Sequence, residues 1–107
     1  MKPINIDQQL LDDLLKKAAS DERKRMNLDM RTSPADKSQR MLNALLPGTE
    51  VAIHRHPNST ESVLCLCGRM DEIIYDEDGR EVERWSLCPA EGRYGCVVPA
   101  GAWHSVE

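Results

Sequence analysis

The chain has 107 residues and a formal net charge of −4 at neutral pH, from 18 acidic and 14 basic side chains. This length predicts a single domain overall. The acidic balance argues against a nucleic-acid or membrane partner, because nucleic acids and anionic membranes favour clustered Lys and Arg. The start of the chain, residues 1–5, is followed by acids and glutamines and not by an apolar run, and no apolar stretch reaches transmembrane length. We therefore expect a cytoplasmic protein without a signal peptide.

The first 38 residues predict a helix followed by a connection. Asp7 is a suitable N-cap. The helix that follows it has an apolar stripe formed by Leu10, Leu11, Leu14, Leu15 and Ala18. From Ser20 to Ser38 the sequence is polar and weakly periodic, which predicts a long connection without regular structure. We therefore expect residues 1–38 to form an N-terminal segment that packs on a larger β unit.

From Gln39 onward the sequence predicts a succession of short strands. Turn residues rich in Pro, Gly, Asn and Asp separate them, as is typical of antiparallel sandwiches and jelly rolls. The predicted strands cover residues 39–46, 50–56, 61–67, 69–75, 80–87, 93–98 and 102–107. The predicted fold class is therefore all-β with an N-terminal α-helix, and the β unit spans residues 39–107.

The three histidines of the chain and one glutamate form a candidate metal site. His54 and His56 are two residues apart, so on a strand both side chains project from the same face. Glu61 follows a turn at residues 57–60, and His104 follows a Pro-Gly turn near the end of the chain. Three imidazoles and a carboxylate suit one divalent transition metal ion, such as Fe, Mn, Ni, Co, Cu or Zn, better than Ca or Mg.

The spacing of these residues resembles the two signatures of the cupin superfamily. The first signature is matched by Gly48, His54, His56, Glu61 and Gly68, and the core of the second by Pro99, Gly101 and His104. A narrower resemblance, to the WbuC-type cupin-fold metalloproteins, includes Gln39-Arg40, Asn43-Ala44-Leu45, Pro47-Gly48-Thr49 and His54-Arg55-His56-Pro57. The resemblance implies a cupin double-stranded β-helix, which is a jelly-roll barrel. It also implies that His54, His56, Glu61 and His104 bind one metal ion.

We expect this centre to act on a small polar, carbohydrate-derived ligand. Similarity to the WbuC-type proteins suggests a role in surface-polysaccharide metabolism but implies no particular reaction. A metal ion with open positions would suit an isomerase, a lyase or an oxygenase. The alternative is a non-catalytic, metal-dependent sugar-binding or regulatory module. Strand parity offers Arg40, Asn43 and Tyr75 as substrate-binding candidates. Because the metal uses every histidine, isomerisation would need another base, and the candidates are Glu50, Glu72 and Tyr94.

Two further expectations concern the last strand and the cysteines. The last predicted strand ends at Glu107, soon after His104, so we expect either further residues or a partner subunit to complete its pairing, and we predict a homodimer. The four cysteines are expected to be buried free thiols, because the chain has no secretory features.

Overall fold

A computed structural model describes residues 3–107 of the chain. These residues form two compact units, which divide between Thr49 and Glu50. The first unit contains α1 (Gln8–Ala19), β1 (Arg25–Asp29) and β2 (Met41–Leu45). The second contains β3 (Glu61–Leu64), β4 (Met70–Tyr75), β5 (Glu81–Leu87), β6 (Gly95–Val98) and β7 (Trp103–Val106), with a short 3₁₀ turn at Pro89–Glu91. The structure confirms the prediction of mainly β structure with one N-terminal helix.

The first unit is a helix packed against a two-stranded antiparallel sheet. The side chain of Asp7 accepts a hydrogen bond from the Leu10 amide at 3.0 Å, which satisfies one free donor at the helix start and confirms the predicted N-cap. The centre of the core is formed by Leu14 and Ala18 of α1 with Ala44 of β2. The partly buried side chains around it are Leu15, Met26, Leu28, Leu42 and Leu46.

The predicted connection from Ser20 to Ser38 is wrong over its middle part. Residues Arg25–Asp29 form β1, which pairs with β2 from Arg25 opposite Leu45 to Asp29 opposite Met41. Met26 and Leu28 alternate with polar residues, so one face of the strand packs into the helix core. The predicted strand at residues 39–46 is therefore present, but it pairs inside the first unit.

The second unit contains two antiparallel sheets. One consists of β3 and β6, and the other has the order β5–β4–β7. The predicted strand at residues 50–56 is not formed. Instead, a single bridge joins His54 to His104, with the amide of each residue donating to the carbonyl of the other at 2.9 and 2.8 Å. Across residues 3–107 the sheets do not close into a barrel, so the finer prediction of a jelly roll is not established by the structure.

The register of the three-stranded sheet decides which side chains share a face. Ile74 of β4 lies opposite His104 of β7, and Glu72 lies opposite Val106. Because directly opposed residues project to the same side of a sheet, these four side chains share one face. Ile73, Tyr75 and Ser105 therefore lie on the other face, where the Tyr75 hydroxyl and Ser105 Oγ are hydrogen-bonded at 3.0 Å.

No helix within residues 3–107 is long and apolar enough to cross a lipid bilayer.

Candidate metal centre

The three histidine side chains lie together in the second unit. One ring nitrogen from each of His54, His56 and His104 falls within 4.8 Å of the other two. The ring centroids of His54 and His104 are 4.2 Å apart, and those of His54 and His56 are 5.2 Å apart. His104 is buried, whereas His56 is exposed. The imidazoles of His54 and His56 and that of His104, which is about 50 residues further along the chain, are therefore close enough to bind one ion.

Backbone hydrogen bonds fix the orientation of two of the rings. Nδ1 of His54 lies 2.8 Å from the Ala52 carbonyl oxygen, and Nδ1 of His104 lies 2.9 Å from the Ala102 carbonyl oxygen. A carbonyl oxygen can only accept, so each Nδ1 must carry the proton. In the neutral ring, Nε2 then has a free lone pair. This is the arrangement in which a histidine is prepared to bind a metal ion.

The carboxylate of Glu61 lies against two of these rings. Its Oε2 is 3.2 Å from Nε2 of His104 and 3.3 Å from Nε2 of His56. Because Nδ1 of His104 already holds a proton, a neutral His104 presents a lone pair to a carboxylate oxygen, and two acceptors then face each other. A proton or a cation has to lie between them. A divalent ion satisfies all these groups at once, so the donor set fits a transition metal.

Burial affects two further titratable side chains of the same unit, Glu72 and Cys96. Glu72 is only 1% exposed, and its Oε2 has no hydrogen-bond partner in the described part of the chain. Burial, with a further contribution from the charge of Glu61, raises the pKa of Glu72 to about 7. Burial also raises the pKa of the Cys96 thiol to about 11, and the charges of Glu72 and Glu61 add to that shift.

The structure places the predicted substrate-binding residues apart from the imidazoles or in the other unit. In the first unit, the Arg40 guanidinium donates to the carbonyl oxygens of Ser38 and Met30 and to the Asp36 carboxylate. Asn43 is an exposed residue of β2 in that unit. Tyr75 lies on the sheet face opposite to that of His104. Tyr75 therefore does not share a sheet face with His104, and Arg40 and Asn43 belong to the first unit.

Of the candidate bases, only Glu72 is buried. Glu50 is exposed and Tyr94 is 62% exposed. No sequence signal distinguished Glu72 from the other two candidates, because its burial depends on how β4 pairs between β5 and β7.

The cysteines are all free, and only some are buried as predicted. Cys65 and Cys88 are buried, Cys96 is partly buried and Cys67 is exposed. The prediction is therefore wrong for Cys67, which follows the end of β3.

Comparison with known proteins gives one family assignment. Residues 6–87 match the family described as Domain of unknown function (DUF6016). Neither the curated proteins nor the solved structures contain a match to this chain. The matched residues include His54, His56 and Glu61 and end before His104. Because the match covers more than half of the sequence, the chain belongs to the DUF6016 family.

Proposed function

We propose that this protein binds one divalent transition metal ion through His54, His56, His104 and Glu61. The observation that supports the proposal best is the contact of Glu61 Oε2 with Nε2 of His104, whose Nδ1 proton is already used by the Ala102 carbonyl. Such a pair of acceptors is stabilised by a cation placed between them. A ring nitrogen of His54 lies within 4.8 Å of one from His104 and one from His56, close enough to bind the same ion.

The proposed centre leaves room for a small ligand. An octahedral ion has about six positions, so four protein groups leave about two for a ligand. The side chains of His56 and Glu61 are 48% and 41% exposed, which gives a ligand access from solvent. Bound there, a metal ion would act as a Lewis acid that polarises a carbonyl or hydroxyl group.

We propose a small polar, carbohydrate-derived molecule as that ligand, with isomerase, lyase or oxygenase chemistry as the activity. The ligand class is supported by the resemblance of the chain to the WbuC-type cupins, and the reaction types by the chemistry of a metal ion with open positions. On this proposal the two sheets of the second unit correspond to part of a cupin barrel. The homodimer and the cytoplasmic location stay predictions from the sequence.

The metal content of the purified protein tests the proposal. Protein made without an affinity tag or added metal is analysed by inductively coupled plasma mass spectrometry, alongside a His54→Ala, His104→Ala double variant. Arg55→Gln is a matched control, because Arg55 lies between the two first histidines but stacks on the Trp103 ring, 4.6 Å from its centroid.

We expect about one Fe, Mn, Ni, Co, Cu or Zn ion per chain in the parent and in the control, and almost none in the double variant. Parent protein that stays metal-free after incubation with each ion would refute the proposal. If metal binds but no sugar derivative or keto acid changes the thermal unfolding midpoint of the loaded protein, the carbohydrate ligand is wrong while the metal site stands.

A further inference from the structure

We propose that Glu72 is a further residue of this metal centre, and that its carboxylate supplies the second negative charge for the ion from the buried side. This inference rests on the proposed function, since it requires that the histidines bind a metal. Neither the histidine spacing nor the resemblance to cupins assigns Glu72 to a metal centre. The inference depends on the strand register, the burial of Glu72 and the unpartnered Oε2.

The register brings Glu72 to the face that holds His104. Glu72 is two residues before Ile74, which lies directly opposite His104 on the neighbouring strand. Residues in this diagonal relation have Cα atoms roughly 7–8 Å apart and project to the same side, which is within reach of a long side chain. The carboxylate of Glu72 and the imidazole of His104 therefore occupy the same side of the sheet.

The burial of Glu72 is unexplained by its protein neighbours. A carboxyl group that is 1% exposed normally has hydrogen bonds or an ion pair to offset the loss of water. Glu72 Oε2 has none in residues 3–107. A metal ion, or a water molecule bound to one, would satisfy this oxygen.

The sheet formed by β3 and β6 contributes Glu61 and Cys96 to the same region as Glu72 and His104. Glu61 and Val63 are two residues apart on β3, and Val63 lies opposite Cys96 of β6, so Glu61 and Cys96 share one face of that sheet. The Glu61 carboxylate contacts His104 on the other sheet. The charges of Glu72 and Glu61 both raise the pKa of the Cys96 thiol, which is consistent with one shared interior for all three groups.

Charge balance gives Glu72 a physical role. Three neutral imidazoles and one carboxylate leave a divalent ion with a net charge of about +1, and an uncompensated charge is costly in a poorly hydrated site. A second carboxylate brings the centre to neutrality. Ionised Glu72 would in turn be stabilised by the ion. Ionisation of Glu72 therefore favours metal binding, and metal binding favours the ionised form of Glu72.

Metal affinity tests this assignment with Co²⁺ alone as the probe. Metal-free parent protein, Glu72→Gln and Glu83→Gln are titrated with Co²⁺, and binding is followed by calorimetry and by the visible absorption of the bound ion. Glu83 is a matched control because it is an exposed glutamate of β5, opposite Ile74, and its substitution removes the same charge. Glu72→Met, which is similar in volume, replaces Glu72→Gln if the latter does not fold.

We expect the Glu72 variant to bind Co²⁺ about 10- to 100-fold more weakly than the parent, and the Glu83 variant to match the parent. Equal affinities and spectra for the parent and a folded Glu72 variant would overturn the inference and leave the proposed function intact. A parent protein that binds neither Co²⁺ nor any other divalent ion would refute both. An equal loss in both variants would show a general charge effect and would also refute the role of Glu72.

Discussion

Replacing Glu72 by Gln should stabilise the metal-free protein at neutral and alkaline pH. Burial, with the charge of Glu61, raises the pKa of Glu72 from the ordinary value of 4.5 to about 7. One pKa unit corresponds to about 1.4 kcal/mol, so ionising this carboxyl in the folded state costs about 3 kcal/mol relative to the unfolded chain. Gln keeps the shape of the side chain without the charge.

The pH dependence of the effect has a definite sign. Below about pH 4.5 the carboxyl is protonated in both states, and the variant gains nothing from the loss of the charge. As the pH rises from there to about 7, the folded state retains a proton that the unfolded state has released, so the parent loses stability. Between about pH 5 and pH 8, the free energy of unfolding of the variant minus that of the parent should grow by about 2 to 3 kcal/mol.

Urea unfolding in the presence of a chelator measures this difference. Both tryptophans, Trp85 and Trp103, are in the second unit, so their fluorescence reports on the unit that contains Glu72. A difference that stays constant from about pH 5 to pH 8 would contradict the raised pKa of Glu72, because this side chain would then titrate like an exposed carboxyl.

Three substitutions or reactions test other parts of the fold. Asp7→Ala should lower the stability of the first unit by about 1 kcal/mol, as followed by helical circular dichroism during urea unfolding, and Asp7→Asn should retain most of it; equal losses in both would contradict the N-cap. In Gly95→Ala the new Cβ would overlap the Val63 carbonyl oxygen, so the fluorescence-detected free energy of unfolding should fall by about 1–3 kcal/mol, and an unchanged value would argue against the β3–β6 register. A thiol reagent should modify exposed Cys67 well before partly buried Cys96, because the pKa of the Cys96 thiol is raised to about 11. Equal rates of modification, measured by peptide mapping, would contradict the partial burial of Cys96.

The sequence was most informative about the metal site, because few residue types bind a transition metal ion and the chain has only three histidines. His54 and His56 have the two-residue spacing that places side chains on one side of an extended segment, and the structure brings both to His104. The strand predicted around them is absent, since only His54 forms a β-bridge. The segment nevertheless presents both imidazoles to the same place. The prediction that the two imidazoles lie close together required only an extended backbone, and it did not require the hydrogen bonds of a complete strand.

Strand β1 and Glu72 show what local sequence could not reveal. The alternation of Met26 and Leu28 with polar residues was short and lay in a polar stretch, so the pairing of β1 with β2 decided its structure. Asp71 and Glu72 are neighbours with similar side chains, and the sequence does not say which of them is buried. Only the register of β4 against β7 places Glu72 on the side of His104.

X-ray absorption at the metal edge of the zinc-loaded protein tests most directly whether the three histidines bind a metal ion. Zinc bound at the proposed centre should have a first shell of nitrogen and oxygen atoms at about 2.0–2.2 Å and the outer-shell scattering of about three imidazoles. The His54→Ala, His104→Ala double variant should lose this pattern. A parent spectrum without imidazole scattering would contradict the metal centre described above, even if zinc remained bound to the protein.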